Sequence, residues 1–301
     1  MIDFLSKYMV YLQASQLKAN ELEYFEMNKY FFQDQENSHW QEKRSTFYHN
    51  HNAVLNYLNN DADAAWQRHI CNYIARDNLF NFYSKIDKDW IKSNVDMGSF
   101  DSNISSLVRT RPVVYLTTHS FFQVLIPLIL AQHTGPVFPF VLDETCEDNE
   151  TIRNYLSQMY DNLSYSLSGG SVLKVGGESH VKSRSKSIKV LKEKGNLYAA
   201  IDMLHPSLGV HSKVSLVTSH FKFDVLAGIV SLGIKYNAQF VFPFTSLMPN
   251  GKLRFETFLL EGSTTGKVLE SFQKVFDSIM LSDISTWEGA SSLTYKEGRF
   301  S

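Results

Sequence analysis

Three stretches of the 301-residue chain end an apolar run in side chains that can hold or move a proton. Val113-Val114-Tyr115-Leu116 leads through Thr117 and Thr118 to His119 and Ser120; Val137–Leu142 leads to Asp143-Glu144; Leu197–Asp202 ends in Asp202. An imidazole beside a carboxylate is the minimal apparatus for general-base activation of a hydroxyl or amine, because the acid fixes the tautomer and stabilises the imidazolium that forms. If the strands are parallel neighbours, these side chains meet at one rim of a sheet, where ligands bind in open α/β folds. His119 is then the candidate base, with Asp202 as the first candidate partner and Glu144 and Asp143 next. The competing reading makes His119 a loop ring bonded to a carbonyl, and the acids surface residues or helix caps.

The elements that must position these groups follow from periodicity. Short apolar, β-branched runs predict strands at Val113–Thr117, Val137–Leu142, Ser171–Val175, Leu197–Asp202, Val214–Thr218, Gln239–Phe244 and Leu253–Leu260. Helical patterns fall between most of them, at Phe121–Gln132, Glu150–Asn162, Val181–Lys194 and Phe223–Tyr236, with a last helix at Lys267–Met280 before a polar tail. Parallel neighbours need crossover helices, so the alternation predicts an α/β fold: a largely parallel sheet flanked by helices. Ser120 is placed to cap the helix after His119, whose free N–H groups would then face a developing oxyanion.

Residues 1–93 carry helical spacings and no strand pattern, as in Ile2, Leu5, Tyr8, Met9 and Leu12, and in Trp66, Ile70, Tyr73 and Ile74. They predict a helical N-terminal section that packs on an α/β domain of residues 94–301, with Gln33–Ser45 as a polar connection and Asn94–Asp101 as a loop. His49 and His51 would share one face of a strand, but with no third ligand in sight zinc is not expected there, and no metal or cofactor is expected elsewhere.

Composition narrows the classes. A formal net charge of -2 gives no reason to expect nucleic acid as a partner. Two cysteines, Cys71 and Cys146, offer no disulfide framework and suit a reducing compartment. The longest apolar run, Phe121–Ala131, is too short to cross a bilayer and contains Gln123 and Pro127, so membrane contact is expected to be peripheral at most. There is no phosphate-binding glycine loop; Gly169-Gly170 and Gly176-Gly177 have the wrong spacing, and no nucleophile elbow occurs.

The order of these features resembles the lipid A late acyltransferases of the lysophospholipid acyltransferase superfamily. The likeness spans roughly residues 63 to 289. It rests on His119 after a strand, on SKSIKVLKEKGNLYAAIDM with Gly195 and Asp202, on the small residues Ala227 and Gly228, on Phe242-Pro243, and on the closing SDISTWEGA with Trp287. In that family the histidine opens a His-x4-Asp/Glu motif. Here Val124 stands where the acid would be, after Gln123. Three routes remain open: a carboxylate from elsewhere, histidine without an acid, or a non-catalytic relative.

The resemblance implies transfer of an acyl or aminoacyl group from an acyl carrier protein or coenzyme A thioester to a hydroxyl or amine of a lipid A-type glycolipid, on the cytoplasmic side of an inner membrane. His119 would act as base with Asp202 or Glu144. Ser120, Gln123, His220 and Lys222 are candidate substrate contacts, and Phe121, Phe122, Leu125 and Ile126 candidate walls for an acyl chain. Lys186 and Lys189, within the basic run Lys182–Lys194 whose buried side is assigned to Ile188 and Leu191, are candidate contacts for a carrier protein or phosphate. The alternatives are a binding or scaffold relative without activity, and an acyltransferase of a secondary-metabolite pathway with a soluble acceptor.

Overall fold

A computed structural model of the chain describes residues 38–55, 62–63, 65–66, 68–70, 72, 76, 86–98, 100, 110–148, 150–202, 213–217, 222–248, 252–291, 295–296 and 299–300. Its frame is a seven-stranded sheet. The strands are β1 (Val95–Asp96), β2 (Val113–Thr117), β3 (Val137–Leu142), β4 (Leu173–Val175), β5 (Asn196–Ala200), β8 (Gln239–Leu247) and β9 (Leu253–Leu260), in the order β1-β9-β8-β2-β5-β3-β4. Every neighbouring pair is parallel except β8 with β9, which is antiparallel. A separate antiparallel hairpin joins β6 (Lys213–Val217) to β7 (Lys222–Leu226).

The central strand β2 is buried along its whole length, as its unbroken apolar run requires of a strand covered on both faces. The described helices are α1 (Ser38–Leu55), α2 (Lys88–Asn94), α3 (Ile126–Thr134), α4 (Glu150–Tyr165), α5 (His180–Lys192), α6 (Gly228–Lys235) and α7 (Thr265–Asp283). α3 packs on β3 and β8, α5 on β4 and β5, and α6 and α7 on each other and on β2, β8 and β9. Gly233 lets α6 lie close to the sheet, since a Cβ there would come within 2.6 Å of the Phe240 ring.

Strand and helix order agree with the sequence reading, and the differences have local causes. The helix after His119 begins at Ile126, not Phe121: residues 121–125 form turns, and Pro127, which lacks an N–H, sits in the first helical turn. The segment from Phe223 is strand up to Leu226, because Lys222-Phe223-Asp224-Val225-Leu226 alternates outward and inward with period two; the helix starts at Gly228. β6 therefore belongs to the hairpin and not to the parallel sheet. Val95–Asp96, expected as loop, adds a parallel edge strand beside β9.

In the N-terminal section, Ser38–Ser45 is the start of α1 and not a connection. His49 and His51 lie on that helix, the first exposed and the second buried, so they do not share a face. The pattern from Ile2 to Leu12, Tyr73 and Ile74 lie outside the described residues. The segment after α7 is not a polar tail: short 3₁₀ turns at Ile284–Thr286 and Glu288–Ser291 bury Ile284, Trp287 and Ala290 completely. Among the described residues no helix is long and apolar enough to cross a membrane.

The N-terminal section grips this closing segment. Asn50 Nδ2 donates to the Ala290 carbonyl at 2.7 Å, and Asn72 Nδ2 to the Ser285 carbonyl at 3.1 Å. The buried His69 ring meets the same Ser285 carbonyl through Nδ1 at 2.9 Å and stands edge-on to Phe121, centroids 4.9 Å apart. Burial holds this imidazole neutral: its pKa is pulled down to about 3, with the charges of Lys43 and Arg76 adding to the effect against the Ser285 hydrogen bond. A histidine depressed in the fold binds fewer protons there than in the unfolded chain, so its contribution is complete above about pH 6.5 and is lost as pH falls toward 3. At pH 5 the loss from this one ring amounts to about 2 kcal/mol. Urea unfolding at pH 7 and pH 5 should show His69→Gln, which keeps a donor for the Ser285 carbonyl, losing less stability over that interval than the wild type.

Candidate active site

The register of the two central strands brings the proton-handling residues together. Thr117 pairs with Ala200 across β2 and β5, and the ladder continues with Ile201 N–H donating to the Thr117 carbonyl at 3.0 Å. Two residues further along each strand stand His119 and Asp202, which therefore face one another. Chain connectivity changes direction there. From β2 the chain crosses toward β3, while from adjacent β5 it passes through the β6–β7 hairpin and α6 to β8 on the far side of β2. Two neighbouring strands that send their connections in opposite directions form the switch point at which open sheets bind ligands.

The Asp202 side chain has no exposed surface, and its carboxylate takes up donors from two segments. Oδ1 accepts from the His119 ring Nδ1 at 2.8 Å and from the His119 backbone N–H at 2.9 Å; Oδ2 accepts from the same backbone N–H at 3.0 Å and from the Trp287 indole Nε1–H at 2.9 Å. Because a carboxylate oxygen accepts, Nδ1 carries the ring proton and Nε2 is left as the basic nitrogen. Among the described residues nothing hydrogen-bonds Nε2, and a quarter of the side-chain surface, 25%, stays open. Burial pulls the imidazole pKa down, but the charge of Asp202, its hydrogen bond and the charge of Glu288 together outweigh this, so the pKa is raised. This base is thus oriented, electrostatically supported and partly open to solvent.

The closing turn is stitched to the His119 loop along the backbone too. Glu288 N–H donates to the His119 carbonyl at 3.1 Å, Phe121 N–H to the Thr286 carbonyl at 3.4 Å, and Ser120 and Trp287 form an antiparallel bridge. The Glu288 carboxylate is held at 2.5 Å by Arg76 of the N-terminal section. Tyr198, on β5, donates its hydroxyl to the Gln123 carbonyl at 2.7 Å; burial and then the Asp202 charge push that phenol well up.

The other sequence-derived candidates fall elsewhere or take narrower parts. Glu144 does not join His119. It lies past β3, beyond β5 from β2, and makes an ion pair with Lys174 of β4. Glu144 is half-buried, whereas Asp143 beside it is buried. Burial raises its pKa, but hydrogen bonds from Ser179 and Thr145 prevail and hold it below the ordinary range. Ser120 is buried, caps no helix, and its hydroxyl has no partner among the described residues. The expected helix N-terminus at His119 is absent too, and the Gln123 and Leu125 N–H groups are spent on turns.

Gln123 is half-buried in the turns that follow His119, and Val124 packs against the core. Phe121, Phe122, Leu125 and Ile126 are core residues, all but fully buried. Lys222 opens β7, half-buried; His220 lies outside the described residues. On α5 the buried side is Ser183, Ser187, Val190 and Leu191, with Ile188 only half-buried. Lys186 reaches over the Phe138 ring and bonds Ser171, while Lys189 is exposed at 3.8 Å from Glu193. Among the described residues no group of histidines, cysteines and acids could hold a metal ion.

Sequence reasoning assigned no site role to Trp287, Glu288, Arg76 or Tyr198. Only Trp287 left a signal, as a lone tryptophan in the closing segment. No protein-family model and no curated protein matches the chain.

Removing the charge that supports the imidazole should be readable directly. In Asp202→Asn the His119 pKa, followed by NMR titration of its ring Cε1–H, should fall; in Glu288→Gln it should fall less, because that charge is the smaller contributor. The sign extends to stability. A histidine whose pKa is raised in the fold stabilises it fully below about pH 6.5, and that contribution fades as pH rises through the raised value.

Proposed function

We propose that this chain is an acyltransferase in which His119, oriented by Asp202, acts as general base for direct transfer from a thioester. The observation that carries the reading is the 2.8 Å contact between His119 Nδ1 and a carboxylate with no exposed surface, combined with an Nε2 that none of the described residues hydrogen-bonds, on a side chain a quarter open at the ends of β2 and β5. A carboxylate–imidazole pair of this kind suits proton removal from a weak nucleophile.

In the proposed reaction Nε2 takes the proton from an acceptor hydroxyl or amine as its oxygen or nitrogen attacks the thioester carbonyl carbon. The carbon–sulfur bond then breaks, and the leaving thiolate receives that proton from the imidazolium. The products are an ester or amide and a free thiol, with no acyl-enzyme. The donor is an acyl carrier protein or coenzyme A thioester, bearing a fatty or aminoacyl group. The acceptor is a glycolipid of lipid A type, as the sequence resemblance implies, and such an acceptor would draw the protein to the cytoplasmic face of an inner membrane. The cationic surface of α5, with Lys182, Arg184, Lys186 and Lys189 exposed, suits an acidic carrier protein.

The test is His119→Ala. Transfer from a loaded carrier protein, followed by intact-mass analysis of lipids and carrier, should fall by about 10²–10⁴-fold while circular dichroism still shows the folded chain, at a melting temperature lowered by loss of the ring N–H from Asp202. A folded variant with unchanged turnover would refute the assignment of the base.

A further inference from the structure

We infer that Trp287 is a positioning residue for the His119–Asp202 pair: its indole N–H fixes the rotation of the Asp202 carboxylate so that Oδ1 stays on the imidazole. The inference deepens the reading of His119 as a base and rests on it for its kinetic consequence, though not for its structural one.

The carboxylate has two oxygens and a short list of donors. Oδ1 is held by the ring Nδ1 and by the His119 N–H, and the same N–H leans to Oδ2 at 3.0 Å. The one other donor on Oδ2 among the described residues is Trp287 Nε1, at 2.9 Å. Both donors of His119 come from a single residue, so they can tether the carboxylate without fixing its rotation. A third, from the opposite side, is needed to stop it turning about its own Cβ–Cγ bond. The indole is suited to that task because it cannot itself move. It is fully buried, with the Phe276 ring edge-on at 5.3 Å and Phe223 at 6.1 Å, and a Cβ at Gly289 would lie 2.4 Å from it.

The turn that carries the indole is braced from outside the α/β frame. Asn50, His69 and Asn72 hold the Ala290 and Ser285 carbonyls, and Arg76 holds Glu288. The N-terminal section is in this sense the outer support of the site: it fixes residues 285–290, and through Trp287 the orientation of Asp202. Among the described residues the charges facing His119 are those of Asp202 and Glu288, the latter paired with Arg76.

Two replacements separate hydrogen bonding from packing. Trp287→Phe removes the donor and part of the ring. Incorporating 3-benzothienylalanine at position 287 keeps the bicyclic shape and replaces N–H by sulfur, so it removes the donor alone. The readout is ¹⁵N NMR of the His119 imidazole in the full-length protein without substrate, and is independent of whether transfer occurs. In the wild type Nδ1 should bear the proton. With the benzothiophene the Nε2–H tautomer should appear and the pKa should fall toward the ordinary histidine value. In a transfer assay the same variant should lose about 10- to 100-fold in kcat at unchanged KM, since orientation matters most when the proton moves.

An unchanged tautomer and pKa in the folded benzothiophene variant, or a pKa that rises, would overturn the inference and leave the indole as packing. If wild-type transfer is not observed but the tautomer shifts as described, the positioning role stands and the acyltransferase reading fails.

Discussion

A carboxylate with no exposed surface sits at the end of β5, and the rest of the site depends on how it is accommodated. Taking such a group out of water costs several kcal/mol unless hydrogen bonds replace its hydration. At Asp202 the replacements are the two N–H groups of His119 and the indole N–H of Trp287. None of these donors belongs to β5. The carboxylate can be buried only when the loop after β2 and the turn after α7 have both docked, two segments separated by well over a hundred residues of chain. Formation of the acid–base pair is therefore tied to completion of the fold, and the pair cannot be assembled by the central strands alone.

Strand register gives the pair its distance, and connectivity gives it access. Parallel neighbours lie about 4.8 Å apart, so residues in register beyond the paired ends of β2 and β5 are within hydrogen-bonding reach if their side chains share a face. One more strand over, that reach is exceeded, and this is why Glu144 after β3 bonds Lys174 from the edge strand β4 and not the imidazole. The chain leaves β2 and β5 in opposite directions, and a quarter of the His119 side chain stays open at the ends of these strands.

The inner strands of the sheet were legible because buried β-branched runs have few other uses, and β2 and β3 have the bounds their apolar residues predict. Asp202 was legible as the partner of His119 because it ends a run that had to neighbour β2. What escaped depended on contacts distant in sequence. The Phe121–Leu130 run looks like a continuous helix, yet its first five residues turn so that Phe121 can meet Thr286 and His69. Phe223–Leu226 has an apolar content that suits either period, and pairing with residues 213–217 decides for strand. Residues 284–291 carry enough polar side chains to resemble a tail; their burial comes from Asn50, His69 and Asn72, which satisfy the carbonyls from the other end of the chain.

The valine at position 124 fits this arrangement. An acid four or five residues past the histidine would have to act from residues 121–125, a set of turns whose N–H groups bond locally and whose conformation rests on its contact with the closing segment. Asp202 stands at the end of a strand paired on both sides, with β2 and β3, and its carboxylate accepts from three donors. A carboxylate so placed is held more rigidly than one on a turn, and rigidity is what an orienting acid contributes to a base. With the carboxylate on the strand, Val124 is left to packing, and as a side chain that joins the core it steadies the loop that presents His119.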